Sequence, residues 1–197
     1  MFSRQKHPSG IFTISASSYF PQAQPAKQQM KPSVYTTEFG LVRQFLRVLR
    51  RGQGPWGPVR LAREFQFDRG RTDVLALTAT GHLLAFEAKL TKWKDALDQA
   101  YRNTCFAHGS YVLLPRHVAE RVSLHSPDFR YRNVGLCYVD GSVVSVAVSA
   151  NLVAPPELWL LEEARKTVQR QHGFHKLGRN CAANMPEAPF EFCGSCW

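Results

Sequence analysis

Three residues at the ends of two apolar segments have types and spacing that could do chemistry. Asp73 precedes the segment VLALTA, and Glu87 and Lys89 lie in the segment LLAFEAKL. If the hairpin joining these segments turns at Thr80, Asp73 lies directly opposite Glu87, with Cβ atoms about 4.5–5.5 Å apart. Two carboxylates that close repel each other, and a divalent cation such as Mg²⁺, which takes oxygen ligands, would hold both. The sequence therefore predicts a metal site at this hairpin.

Lys89 adds a positive charge to the same surface. It lies two residues after Glu87, so side-chain alternation in a strand puts both on one face. An ammonium group there could steady the carboxylates, orient a water molecule or offset charge on a phosphate in the transition state. Two acids, a metal ion and a lysine together predict metal-dependent hydrolysis of a phosphodiester.

The segments that must position these residues alternate between helix and strand patterns. Residues 36–52 predict a helix whose buried stripe is Phe39, Val42, Leu46 and Leu49. The next segments predict strands at 59–67, 72–79 and 82–90, a helix at 91–109 and a strand at 110–115, a hairpin of strands at 134–140 and 142–148, and a last helix at 155–173. A mixed sheet flanked by helices is the natural packing for this order, so we expect an α/β fold.

Asp73 followed by Glu87-Ala88-Lys89 after a short hairpin resembles the signature of the PD-(D/E)xK nuclease superfamily. The order helix-strand-strand-strand-helix-strand over residues 36–115 is similar to that family's restriction-endonuclease-like core. The resemblance implies that Asp73, Glu87 and the backbone carbonyl of Ala88 bind Mg²⁺ or Mn²⁺, and that Lys89 assists the attacking water. The residue before Asp73 is Thr72, where the motif name has proline.

The resemblance also implies two supporting residues. Glu38 on the first helix could match an acid that many members carry there, and Gln99 could match a glutamine on the helix after the ExK motif. Each has an alternative reading. Glu38 could be an acid favoured by the helix dipole in a first turn, and Gln99 a solvated helix position. The buried side of this second helix is predicted to be Trp93, Leu97, Ala100 and Thr104.

Basic residues are concentrated before the candidate site. The net charge is +10, and residues 41–72 hold eight arginines against Glu64 and Asp68. Such a bias suits a polyanion such as nucleic acid, and the resemblance implies DNA; the alternative is a solvated basic face. The candidate nucleic-acid contacts are Arg43, Arg47, Arg69, Arg71, Lys92 and Arg102.

The chain divides into three predicted parts. Residues 1–35 are rich in Pro, Gln and Ser and read as a flexible or partly ordered extension, residues 36–155 as the nuclease-like domain, and residues 156–197 as a helix with a cysteine-containing tail. Cys181, Cys193, Cys196 and His175 could hold structural zinc, or an iron–sulfur cluster of the kind some superfamily members carry. The alternative is free thiols, since there is one CxxC pair and it lies at the chain end.

The composition also indicates the cellular setting and the binding partners to expect. An odd count of five cysteines at wide spacing fits an intracellular protein, cytoplasmic or nucleoid-associated, and no apolar stretch predicts a membrane span. The sequence is also compatible with a homodimer. The favoured function is a Mg²⁺-dependent nuclease hydrolysing DNA phosphodiester bonds. One alternative is a catalytically inactive nucleic-acid-binding or scaffolding module on the same fold. Another is an interaction protein whose charge serves only solubility.

Overall fold

The computed structural model describes residues 35–68 and 70–181, with side chains as far as Gln171. The fold is α/β, with a six-stranded mixed sheet flanked by helices, which confirms the expected class. In chain order the elements are α1 (Glu38–Arg50), β1 (Val59–Phe67), β2 (Gly70–Thr78), β3 (Leu83–Ala88), α2 (Trp93–Asn103), β4 (Gly109–Leu113), α3 (Arg116–Val122), a 3-10 turn (Ser123–His125), α4 (Ser126–Tyr131), β5 (Val134–Asp140), β6 (Val143–Val148) and α5 (Leu158–Cys181).

The strands lie in the sheet in the same order as in the chain. β1, β2 and β3 form an antiparallel meander, β3–β4 and β4–β5 are parallel, and β5–β6 is an antiparallel hairpin. Parallel neighbours need a crossover connection, which α2 supplies between β3 and β4, and α3 with α4 between β4 and β5. This topology puts β3, with its charged end, inside the sheet.

The β2–β3 hairpin has the register that the sequence predicts. Val74 pairs with Phe86 and Leu77 with Leu83, so the next positions along, 73 and 87, lie opposite each other. The turn is closed by the Gly81 N–H, which donates to the Thr78 carbonyl at 3.1 Å. Gly81 has a φ of 83°, a left-handed conformation that glycine adopts without steric cost.

Helices cover both faces of the sheet. On one face α1 buries Leu41, Phe45 and Leu49 against a cluster that includes Val74 and Phe86. On the other face α5 packs on β1 and β2, and α2, α3 and α4 pack on β4 and β5. Burial on the two faces follows strand alternation, since successive side chains point to opposite sides. The described part of the chain contains no helix both long and apolar enough to cross a membrane.

The structure corrects several details of the predicted helices. Phe39 is 57% exposed, because it precedes the part of α1 that overlies the sheet, so it does not belong to the buried stripe. On α2 the buried residues are Ala96, Leu97, Ala100 and Asn103, with Trp93 and Thr104 only half-buried. The final helix continues past Gly173 to Cys181, since one glycine costs a helix only about 1 kcal/mol.

Residues 116–131, to which the sequence analysis assigned neither helix nor strand, contain two short helices. α3 buries Val118, Ala119 and Val122, and α4 buries Phe129. Each has two turns or fewer, too few for a hydrophobic period to stand out. Several predictions fall outside the described residues or side chains: the extension at 1–34, Arg69, and the candidate metal ligands His175, Cys181, Cys193 and Cys196.

Candidate functional site

Asp73 and Glu87 meet at one end of the β2–β3 hairpin. Glu87 is 1% exposed and Asp73 is half-buried. The Asp73 carboxylate accepts a hydrogen bond from the backbone N–H of Ala88, with N and Oδ2 2.9 Å apart. Asp73 lies on β2, and this bond holds its side chain against the backbone of β3, the strand that carries Glu87. The carbonyl of Ala88 as a metal ligand stays a prediction.

The environment disfavours ionisation of both carboxyl groups. Burial, followed by the nearby charge of Asp73, raises the pKa of Glu87 from 4.5 to about 8. Burial also raises the pKa of Asp73, and the Ala88 N–H and the charge of Lys89 partly offset this. Two acids that are costly to ionise together form a site that a cation would stabilise.

Asn103, which the sequence analysis did not select, holds Glu87 in place. Its side-chain nitrogen donates to Oε1 of Glu87 at 2.7 Å, and its Oδ1 accepts from the hydroxyl of Thr72 at 2.9 Å. All three residues are buried. The available signal was an amide three residues after Ala100, on the buried side of α2, where an unpaired polar group would be costly.

Lys89 forms an ion pair with Glu38 of α1, and both residues act electrostatically on Asp73. The Lys89 ammonium lies 3.2 Å from Oε2 of Glu38, and its charge favours the ionised forms of both Asp73 and Glu87. Glu38 is the first residue of α1, which is capped by the Thr37 hydroxyl accepting from the Gly40 N–H at 3.1 Å. The cap fixes where the helix begins, and so places Glu38 within reach of Lys89.

The other predicted site residues lie at varying distances from these acids. Gln99 is half-buried on α2, one turn before Asn103, and the amide that contacts Glu87 is that of Asn103. Arg71 acts electrostatically on Asp73 and Arg102 on Glu87, and both arginines are exposed. The remaining described basic candidates are also exposed, Arg43 and Arg47 on α1 and Lys92 at the start of α2.

An irregularity in β1 adjoins Asp73. Glu64 has a φ of 55°, a left-handed conformation that is uncommon for a residue with a side chain. It lies between the pairs Arg63–Val74 and Phe65–Thr72, so its cross-strand position is that of Asp73. Ala62 and Phe65, three residues apart, consequently face the same helix layer, as they could not in a regular strand. Thr72, which pairs with Phe65 across the two strands, lies on that side of the sheet too and so reaches Asn103.

The residues present fit a hard divalent cation. Among the hydrogen bonds of the described residues, Asp73 uses Oδ2 and Glu87 uses Oε1, which leaves one oxygen of each carboxylate for a cation. Within the same residues no three His, Cys, Asp or Glu side chains form a group that could hold a metal by themselves. A two-carboxylate site matches the coordination preference of Mg²⁺, which keeps several water ligands and binds phosphate oxygens.

A cavity of about 360 Å³ lies away from this site, between β1 and α5. Trp159, Glu163 and Arg170 of α5 line it together with Glu64 and Phe67. Neither Asp73, Glu87 nor Lys89 lines this cavity. The acids instead lie at the end of the hairpin remote from its turn.

Comparisons with known proteins leave the function open. No family model matches the sequence, and no curated protein matches it. Among solved structures, a protein of unknown function from Silicibacter pomeroyi is similar to this chain, at 15% identity and a TM-score of 0.48. The similarity covers 83% of this chain and 99% of that one. At that level it says nothing about activity.

Proposed function

We propose that this chain is a Mg²⁺-dependent nuclease that hydrolyses DNA phosphodiester bonds on a restriction-endonuclease-like fold. The observation that carries the proposal is the pairing of Asp73 with buried Glu87, each with a raised pKa, beside the ammonium of Lys89. The order α1–β1–β2–β3–α2–β4 supports the assignment of the fold. The surplus of arginines supports a polyanionic substrate.

The two acids would hold the cation through Oδ1 of Asp73 and Oε2 of Glu87. Bound Mg²⁺ or Mn²⁺ would polarise the scissile phosphate and lower the pKa of a water molecule. Asn103 keeps the Glu87 carboxylate in one orientation by donating to Oε1. The Ala88 N–H does the same for Asp73. These two hydrogen bonds hold both carboxylates in position before the cation binds, so binding costs little side-chain conformational entropy.

Lys89 acts on the attacking water, and Glu38 positions Lys89. The ammonium of Lys89 donates to the attacking water and offsets negative charge that develops on the phosphate. Glu38, 3.2 Å from that ammonium, holds it in place. The attacking water gives up one proton to bulk solvent as its oxygen bonds to phosphorus, the bond from phosphorus to the leaving sugar oxygen breaks, and that oxygen takes a proton from solvent. Gln99 could contact the substrate from the half-buried side of α2.

A plasmid-nicking assay in Mg²⁺ or Mn²⁺ tests the proposal. We expect wild type to nick, chelation to stop nicking, and Asp73→Asn and Lys89→Ala to lower the rate by at least about 100-fold, the usual contribution of such groups. The matched controls are Glu120→Gln and Lys94→Ala, at exposed positions on α3 and α2. Both should nick at the wild-type rate.

The same assay, with a DNA gel shift, separates the alternatives. DNA binding by wild type without nicking in either metal would point to a nucleic-acid-binding module and rule out the nuclease. Nicking that survives in both Asp73→Asn and Lys89→Ala would assign the activity to a contaminant or to another site. Neither binding nor nicking would leave an interaction protein.

A further inference from the structure

Phe39 is an exposed aromatic side chain backed by an arginine. Its residue is 57% exposed in the first turn of α1. The guanidinium carbon of Arg63 lies 5.4 Å from the centre of the Phe39 ring. A cation at that distance from a ring is attracted to the face of the aromatic system. Arg63 thus holds the ring while more than half of Phe39 stays open to solvent.

The Phe39–Arg63 pair is close to the candidate site residues in sequence and in sheet register. Phe39 follows Glu38, whose carboxylate contacts Lys89. Arg63 pairs across the sheet with Val74, the residue after Asp73. Both halves of the Phe39–Arg63 pair are therefore one residue from positions that adjoin the acids.

Phe39 also begins an exposed stripe of arginines on α1. Residues four apart on a helix share a face, so Arg43 and Arg47 follow Phe39 along one side at successive turns. Both arginines are exposed, whereas Val42 and Leu46 beside them are buried. An aromatic ring in line with arginines presents stacking and positive charge together. That combination suits a strand with both bases and phosphates.

Among the described residues Tyr101, 52% exposed, also has a guanidinium near its ring, that of Arg132 at 5.8 Å, so a guanidinium alone does not set Phe39 apart. Tyr131 is 92% exposed at the end of α4, on the opposite face of the sheet from α1. A single exposed aromatic residue needs no explanation by itself. Phe39 combines exposure with a stacked guanidinium, adjacency to Glu38 and the arginine stripe. Tyr131 therefore provides a matched control.

We propose that Phe39, backed by Arg63, is a stacking platform for an unpaired base, so that the preferred substrate is single-stranded or frayed DNA. This inference rests on the proposed function and narrows its substrate class. In a continuous duplex the faces of each base are covered by its neighbours. Only an unpaired or terminal base can lay a face on the ring while its phosphate reaches the acids.

Fluorescence of 2-aminopurine in a short single-stranded oligonucleotide tests the platform, in EDTA so that no cutting occurs. We expect wild type to quench the probe. Phe39→Ala should weaken binding about tenfold, within the range for loss of one stacked base, and remove most of the quenching. Phe39→Trp should keep both, and Tyr131→Ala should behave as wild type. The corresponding continuous duplex should bind with similar affinity to wild type and Phe39→Ala.

The outcomes separate this inference from the nuclease proposal. If Phe39→Ala binds and quenches as wild type does while wild-type protein nicks plasmid, the platform is wrong and the nuclease stands. If quenching depends on Phe39 but wild type does not nick in any metal, the nuclease is wrong and the platform stands. If wild type neither nicks nor binds the oligonucleotide, both are wrong. Thermal unfolding of Phe39→Ala checks that the variant folds.

Discussion

Glu87 is a carboxyl group buried beside a second carboxyl group. Burial and the charge of Asp73 raise its pKa to about 8, so without a cation Glu87 holds a proton at neutral pH. Metal ligands must be deprotonated before they bind, and binding therefore releases that proton. Affinity for Mg²⁺ should accordingly increase with pH up to about 8. Protonation of Glu87 therefore opposes metal binding at this site.

The raised pKa predicts how stability depends on pH. The folded metal-free protein binds a proton at Glu87 that the unfolded chain loses near pH 4.5, so the free energy of unfolding falls as pH rises from there to about 8. At 1.36 kcal/mol per pKa unit the loss is at most about 5 kcal/mol. Urea unfolding of metal-free protein across this range measures it.

Glu87→Gln removes the titrating group, so this variant should lose much less stability over the same pH range. Glu120→Gln, which changes an exposed acid on α3, should keep the wild-type dependence. Added Mg²⁺ should restore stability to wild type mainly at the alkaline end, because only ionised ligands bind it. An equally steep decline in Glu87→Gln would show that another group is responsible.

At the level of single residues, the sequence could predict those whose role follows from chemistry and spacing. Asp73, Glu87 and Lys89 stand out because charges at the ends of apolar strands are costly without a purpose. Asn103 was missed, since an amide at a helix end usually reads as a solvated or capping residue. Its role depends on Thr72 and Glu87, which come from two other elements. Phe39 was misjudged because helical period alone does not show where the sheet below α1 ends.

Among the elements, the hairpin of β2 and β3 was the most predictable. A short turn fixes the register, and the register fixes which residues oppose each other, so Val74–Phe86 pairing follows from the position of Thr80. α3 and α4 could not be found in the same way. Their burial depends on contact with β5, which a run of seven residues does not reveal.

α2 is joined to the sheet at its C-terminal end by Asn103, and this link predicts two different variant phenotypes. Asn103→Ala leaves Glu87 and the Thr72 hydroxyl without their buried partner, which should cost about 1–3 kcal/mol, with only a modest rise from pH 5 to pH 8 because the lost hydrogen bond favours ionised Glu87. Asn103→Asp places a third carboxyl group beside Glu87, so its cost should be larger at pH 8 than at pH 5. Urea unfolding at both pH values distinguishes them.

Asn151→Ala is the control for the Asn103 variants, because it changes an exposed asparagine after β6. It should shift the free energy of unfolding by no more than about 0.5 kcal/mol, the usual range for surface positions. A cost for Asn103→Asp that is the same at both pH values would mean that position 103 does not sense the charge of Glu87. The amide would then serve only the packing of α2.

Over the whole molecule, charge and topology act together. The net charge is +10, and α1 carries exposed arginines on the side away from the sheet. α1 and the hairpin meet where Glu38 contacts Lys89, so the basic helix leads directly to the acids. A polyanion attracted to α1 would thus have its phosphates near the site, and the field would steer association as well as strengthen it.

The salt dependence of DNA binding tests that arrangement. Each phosphate contact contributes about −0.7 to the slope of log K against log salt concentration for a single strand. Arg43→Gln and Arg47→Gln should each make the slope shallower by about that amount, whatever the DNA sequence. Arg121→Gln removes an equal charge from an exposed position on α3, on the opposite face of the sheet, and should change the slope much less. Equal changes in all three variants would mean that net charge, and not the surface of α1, governs binding.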